Sequence, residues 1–483
     1  MMHLEADKQI DWQKRERIVL AFFACGLIFF YLLALVAPQR WYDLYLSYGK
    51  AAVFAMAAIY FFFHGFRGVA ELKLVIYYTI WFFLTRLLNT DWYLQNELDL
   101  VIARLLCCVI LPVGLLLDGR QRRLLLDVVI AVSGLFFLVT ALLALAACIL
   151  GIYFYIPPEH VVFGFDSNFW VPGFYYIVAF GTNRTISAVW FYFSWCMMLY
   201  EFFRCENKLW RIPIVLSMLV FHLAIAFCFC RSIKLALSIN VAMLVLLLAS
   251  RGLKLKSRKL KALAVALLAL VSLPRAYKSC DVLTAASAAI YNAVDPDIER
   301  TSDIFLSEAY AEETKDGQNF RDGRDLSRSI SNMSSRRGIY ASTVPTFRAD
   351  PRRLLIGSYS FKMMTIPQQF MTYPYFHMHN LWLQVLMLTG LPGLLLVLAF
   401  CVLLIWRMLR LFFSQDPGTD IAVKILTFPL TGVMIYGMFE TILFTQCADD
   451  RANTDFRELF FFLLAGIVLA YSYELAPRNR RKK

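Results

Sequence analysis

Residues 377–392 read His-Met-His-Asn-Leu-Trp-Leu-Gln-Val-Leu-Met-Leu-Thr-Gly-Leu-Pro, and the apolar run they open continues to Trp406 without a charged residue. A helix rises about 1.5 Å per residue, so a run of this length crosses a bilayer. Two histidines stand where the polar chain enters it. Imidazole changes charge near neutral pH, so the stretch that announces a membrane span also marks a place for proton transfer at the membrane surface.

The same apolar length recurs along the chain. Spans are expected near 18–37, 49–66, 72–89, 98–117, 124–152, 186–203, 212–230, 233–250, 261–276, 380–406, 421–446 and 457–475. The chain is 60% hydrophobic and 16% aromatic, too apolar for a soluble protein of 483 residues. Continuous hydrophobicity, rather than alternation, argues against an outer-membrane barrel. The expected fold class is all-α: a polytopic membrane bundle of about twelve transmembrane helices. Its first apolar run follows charged residues without a convincing small-residue cleavage site, and is taken as a retained span.

The net charge of +13 is concentrated at Lys14-Arg15-Arg17, Arg120-Arg122-Arg123, Arg204-Lys208-Arg211, Arg251 to Lys261, Arg407-Arg410 and Arg478 to Lys483. These clusters occupy alternate loops, which puts both termini in the cytoplasm. They set topology and attract anionic membrane lipid; nothing supports nucleic-acid binding. Residues 1–276 then form an N-terminal bundle of about nine spans and 379–483 a C-terminal bundle of about three. Between spans nine and ten, residues 277–378 form a large loop, periplasmic in a bacterium. Of eleven cysteines, most fall within spans as small apolar filler; Cys280 and Cys447 are expected outside, where an oxidising compartment would let them pair. No cysteine or histidine spacing suggests a metal site.

A loop of that size is too long for a passive connector. Leu283 to Val294 reads as an apolar helix lying on the rest of the protein. Asp316-Gly317 and Asp322-Gly323 mark turns, Ser331 to Phe347 reads as a helix, and Pro351 and Gly357 break the chain after it. A smaller loop, 153–185, is rich in aromatic residues and glycine.

The candidate chemistry lies at the external end of these spans. His377 and His379 are either a helix-start pair, with Asn380 as the cap, or a base above the membrane plane. Two positions apart at a helix start, they point in different directions, so a shared metal is not the natural reading. Arg231 sits between two apolar runs on the side where topology does not ask for positive charge, with Lys234 one turn on as a further candidate to bind diphosphate. A cation at membrane depth implies an anionic partner, either an internal carboxylate such as Glu440 or a phosphate-bearing lipid. Arginine suits the second, because its planar fork holds phosphate oxygens bidentately. Arg184 and the pair Arg336-Arg337 raise the same question, and a helix from Ser335 would offer its positive end to an anion. A basic pocket with a histidine beside it suits transfer from a lipid-linked diphosphate. The external segments show no paired acidic metal site, which favours a metal-independent route without a cofactor.

The segment His377-Met378-His379-Asn380-Leu381-Trp382-Leu383-Gln384, followed by Gly390-Leu391-Pro392-Gly393, resembles the signature of the O-antigen ligase and polymerase superfamily. Cys230-Arg231-Ser232 is similar to that family's Ser-Arg step between two spans, and Arg336-Arg337-Gly338-Ile339-Tyr340 to its Arg-x-x-x-Trp segment. Pro351 to Gly357 resembles its Pro-x-x-Gly-x-Gly, and Glu440 an acidic residue in a late span. Cys230, Tyr340 and Tyr359 depart from the pattern, as in a divergent member. The resemblance implies an inverting, metal-independent glycosyl transfer from an undecaprenyl-diphosphate-linked glycan at the periplasmic face of the inner membrane. By position, Arg231 and Arg336 would contact diphosphate and His379 would be the base, with His377 and Arg184 less directly matched.

Two acceptors fit this reading: the lipid A–core sugar for a ligase, or a growing glycan for a polymerase. A single large late loop favours the ligase. A transporter would be expected to show an internal repeat between halves, and none is visible.

Overall fold

The computed structural model describes residues 68–89, 97–149, 184–228, 230–253, 257–294, 340, 343–345, 347–357, 380–414, 420–439, 443 and 454–475. Every regular element among them is a helix. In chain order these are α1 (Ala70–Leu88), α2 (Glu97–Leu116), α3 (Gly119–Ile149), α4 (Arg184–Arg204), α5 (Lys208–Phe227), α6 (Arg231–Gly252) and α7 (Arg258–Val294). Then follow α8 (Arg352–Ile356), α9 (Leu381–Phe412), α10 (Ile421–Ile425), α11 (Thr427–Gly437) and α12 (Thr454–Glu474). Five stretches of these are long and apolar enough to cross a membrane: Gly119–Ala146, Lys208–Phe227, Arg231–Gly252, Lys259–Leu283 and Leu381–Phe412. The chain is therefore a helical membrane protein. The spans expected near 18–37 and 49–66 lie outside the described residues.

The chain divides into two compact units, one of 1–32, 40–132 and 333–483, the other of 33–39 and 133–332. In the first, α1 packs on α9, and α2 on α12. The α2–α12 crossing is close because both helices present glycine there. A Cβ on Gly466 would fall 2.2 Å from the Leu111 carbonyl oxygen, and one on Gly114 would fall 2.5 Å from that of Leu463. Small residues at such a crossing let backbones approach and gain dispersion contact where lipid supplies no hydrophobic drive.

The far ends of α1, α9 and α12 are tied by a polar triad around the buried Glu71. Arg407 Nε donates to Glu71 Oε1 at 2.9 Å, Tyr473 OH donates to Glu71 Oε2 at 2.7 Å, and Arg407 Nη2 donates to the Tyr473 hydroxyl at 2.7 Å. Glu71 is fully buried, so a carboxylate there needs this paired charge and these donors. Nearby in the chain, Arg122 Nη2 donates to Glu474, and the guanidinium lies 4.2 Å over the Tyr471 ring.

In the second unit α4 is central: every residue from Ser187 to Tyr200 is buried. A helix apolar on all sides takes such a place. Trp190 stacks on Phe137 of α3 with centroids 5.0 Å apart, and Asn240 of α6 donates to the Tyr192 hydroxyl. By contrast α5 exposes Leu209, Trp210, Ile212, Leu216 and Leu219, as a helix meeting lipid does.

Two elements differ from the sequence expectation. The span expected at 421–446 is, in its described part, two short helices, α10 and α11, that meet at Leu426. The ninth span was expected to end at 276 with a separate helix at 283–294, yet α7 runs unbroken from Arg258 to Val294 across Pro274. Residues 284–294 are rich in alanine, the strongest helix former, and this carries the helix onward. Cys280, expected in the external loop, therefore lies within α7 and is buried; Cys447, its expected partner, is outside the described residues.

Candidate functional site at two helix starts

In the first unit the site is built around the start of α9. Asn380 is its N-cap: Oδ1 accepts from the Leu383 backbone N–H at 3.0 Å, while Nδ2 donates to the Met438 carbonyl at 2.9 Å. One side chain thus caps α9 and ties it to the end of α11. His379 is the residue just before this cap; both His377 and His379 lie outside the described residues, as do Arg336, Arg337 and Glu440.

About three turns into α9 the helix breaks at Gly390, with φ 71° and ψ −173°. Pro392 follows, and without an N–H it cannot continue the ladder from the residue four earlier. At this break α8 docks. Gly357 ends α8 with φ 73°, and a Cβ placed there would fall 2.4 Å from the Leu388 carbonyl oxygen. A Cβ on Gly390 would fall 2.3 Å from the Leu355 carbonyl oxygen. The two motif segments, Pro351 to Gly357 and Gly390 to Gly393, therefore meet backbone to backbone. Trp81 Nε1 of α1 donates to the Thr389 carbonyl at 2.7 Å, serving an acceptor at the break. Asn89, at the end of α1, reaches the Ile356 carbonyl at 3.5 Å. Upstream of α8, residues 340, 343–345 and 347–349 are helical, in keeping with the tail of the helix expected to Phe347.

The second unit has a separate candidate site at the start of α6. Cys230 is its N-cap, Arg231 its first residue, and Arg231 is exposed while Lys234 is 4% exposed. Lys234 Nζ donates to Asp281 Oδ1 of α7 at 2.9 Å. Tyr277, one turn before Asp281, lies within electrostatic reach of Arg231 and Asp281. His222 of α5 sits beside the same stretch of α7, its Nε2 3.1 Å from Ser279 Oγ. This hydrogen bond is a polar tie between two helices. Arg184 is the first residue of α4; its side chain is outside the described set.

Arg231 and Lys234 are thus brought together with an aspartate and a tyrosine that the sequence reading did not single out. Asp281 was missed because residues beyond 276 read as loop; continuing the helical register from Tyr277 would have put both on one face. Arg86 of α1 was also missed. It is 5% exposed, with its guanidinium 4.4 Å over Phe82, and the argument from charge in an apolar helix that picked out Arg231 applies to it equally. Among the described residues no three His, Cys, Asp or Glu side chains converge as a metal site would require. No family model matches this chain, and no curated protein matches it.

Proposed function

We propose that this chain is an O-antigen ligase-type glycosyltransferase, moving an undecaprenyl-diphosphate-linked polysaccharide onto the lipid A–core acceptor. It has about twelve spans, both termini in the cytoplasm, and its active site at the periplasmic face of the bacterial inner membrane. The acceptor hydroxyl attacks the anomeric carbon of the donor, and His379 takes the hydroxyl proton as general base. The bond from that carbon to the diphosphate oxygen breaks with inversion, and its electron pair leaves on undecaprenyl diphosphate. Arg231, with Arg336, Arg337 and Arg184, offsets the charge that develops on the leaving group, so no metal is needed.

The observation that carries this reading is the contact between Gly357 and Gly390. Two motif segments far apart in the chain, one closing the long loop and one inside α9, are in backbone contact. That contact gives the loop an anchor on the helix whose cap directly follows His379.

The test is the lipopolysaccharide of a deletion strain, together with transfer by the purified protein from an undecaprenyl-diphosphate-linked polymer to lipid A–core. Full-length polymer left unattached, and transfer lost in His379→Ala at normal protein level, supports the ligase. Cores bearing a single repeat unit would instead make the chain a polymerase. Unchanged transfer in His379→Ala would remove the base assignment.

A further inference from the structure

Lys234 and Arg231 share a face of α6 one turn apart, yet they stand in different surroundings. The Lys234 side chain is 5% exposed and its ammonium is in contact with the Asp281 carboxylate at 2.9 Å. Arg231 is exposed at the helix start. A buried ammonium already paired with a carboxylate is a poor ligand for phosphate. To reach one it would have to leave its counter-ion in a low-dielectric place, and the carboxylate left beside it would repel the incoming anion. Arg231 stands instead at the surface, and the planar fork of a guanidinium lies flat against phosphate oxygens. Asp281 is itself half-exposed, and Tyr277, one turn earlier on α7, interacts electrostatically with Arg231. The ion pair thus ties α7 to the first turn of α6.

We propose that Asp281 and Lys234 form a positioning pair that fixes the start of α6 against α7, so that Arg231 meets the polyprenyl diphosphate and Lys234 does not touch it. This rests on the diphosphate reading above and changes the part Lys234 plays in it. Asp281, absent from every motif, becomes a determinant of donor binding through Arg231.

The experiment uses the full chain in nanodiscs, with undecaprenyl diphosphate carrying no glycan as the probe, and measures its Kd. If the pair positions Arg231, Asp281→Asn and Lys234→Met weaken the probe alike, by about tenfold, and the exchanged pair Lys234→Asp with Asp281→Lys restores most of the loss. Arg231→Lys weakens it by about tenfold or more and is not rescued by the exchange, because the fork is gone. A direct Lys234 contact gives the opposite pattern. Asp281→Asn then tightens the probe by removing a negative charge, and the exchanged pair binds worse than Lys234→Met. That result overturns the proposal while leaving the diphosphate site standing. Arg231→Lys without effect on Kd overturns both, since the diphosphate site itself then fails. Should Lys234→Met not fold, Asp281→Asn and the exchanged pair alone still separate the two patterns, because their signs differ.

Discussion

Gly357 and Gly390 face each other with positive φ angles of 73° and 71°, each so near the other's helix that a single added carbon would collide with main chain. The collisions would be with the carbonyl groups of Leu388 and Leu355, which belong to backbone and cannot swing aside. Alanine at either position therefore meets two penalties, a positive-φ extended conformation that essentially only glycine adopts, costing about 1–3 kcal/mol, and an overpacked contact costing about 1–3 kcal/mol. Gly357→Ala and Gly390→Ala should each lower the unfolding temperature in detergent. Gly119→Ala, where a Cβ meets nothing within 4 Å, is the matched control and should not. Equal melting of all three would mean that α8 does not dock at the α9 break.

The α2–α12 crossing makes a similar demand without a special backbone angle. Gly466→Ala drives a carbon toward the Leu111 carbonyl oxygen, so the helices must separate, with loss of about 1–3 kcal/mol. A cysteine pair engineered across this crossing would report it: cross-linking yield should fall in Gly466→Ala and stay high in Gly119→Ala.

Glu71, Arg407 and Tyr473 act as one unit. Removing one member of a buried ion pair strands the other charge, which costs about 3–5 kcal/mol, whereas replacing both with apolar groups is far milder. Glu71→Gln and Arg407→Met should each cut folded yield sharply, and Glu71→Leu combined with Arg407→Met should recover much of it. Tyr473→Phe removes one donor to Glu71 and should cost about 1–2 kcal/mol, read as a smaller drop in melting temperature. Additive losses in the double variant would refute the coupling.

Asn380 has separable halves. Asn380→Asp keeps the oxygen that caps Leu383 but gives up the amide that donates to Met438. Asn380→Ala loses both, with about 1 kcal/mol for the cap alone. Hydrogen exchange at Leu383 should quicken in the alanine variant and remain slow in the aspartate variant. Fast exchange in both would show that the tie to Met438, not the cap, holds the first turn.

Much of the fold was legible because the bilayer acts on each segment separately. The run ending at Trp406, the run from Arg231 and the run from Lys208 each declare a helix by length and apolarity, whatever they later touch. Asn380 as cap was legible too, since a cap depends on its own next three residues. The reach of α7 to Val294 was not. The polar residues Tyr277, Lys278, Ser279 and Asp281 look like loop until a partner on α6 accepts the aspartate.

What the sequence determined by itself, then, was the helical membrane character and the presence of cations among apolar helices; the break at Gly390 inside the span expected at 380–406 came from the structure. Tertiary structure decided which charges meet. Lys234 finds Asp281 at a separation of 47 residues, and Arg407 finds Glu71 at 336. No local pattern can name such partners, because the stabilisation comes from bringing two charges together away from water, and that exists only once the helices are packed.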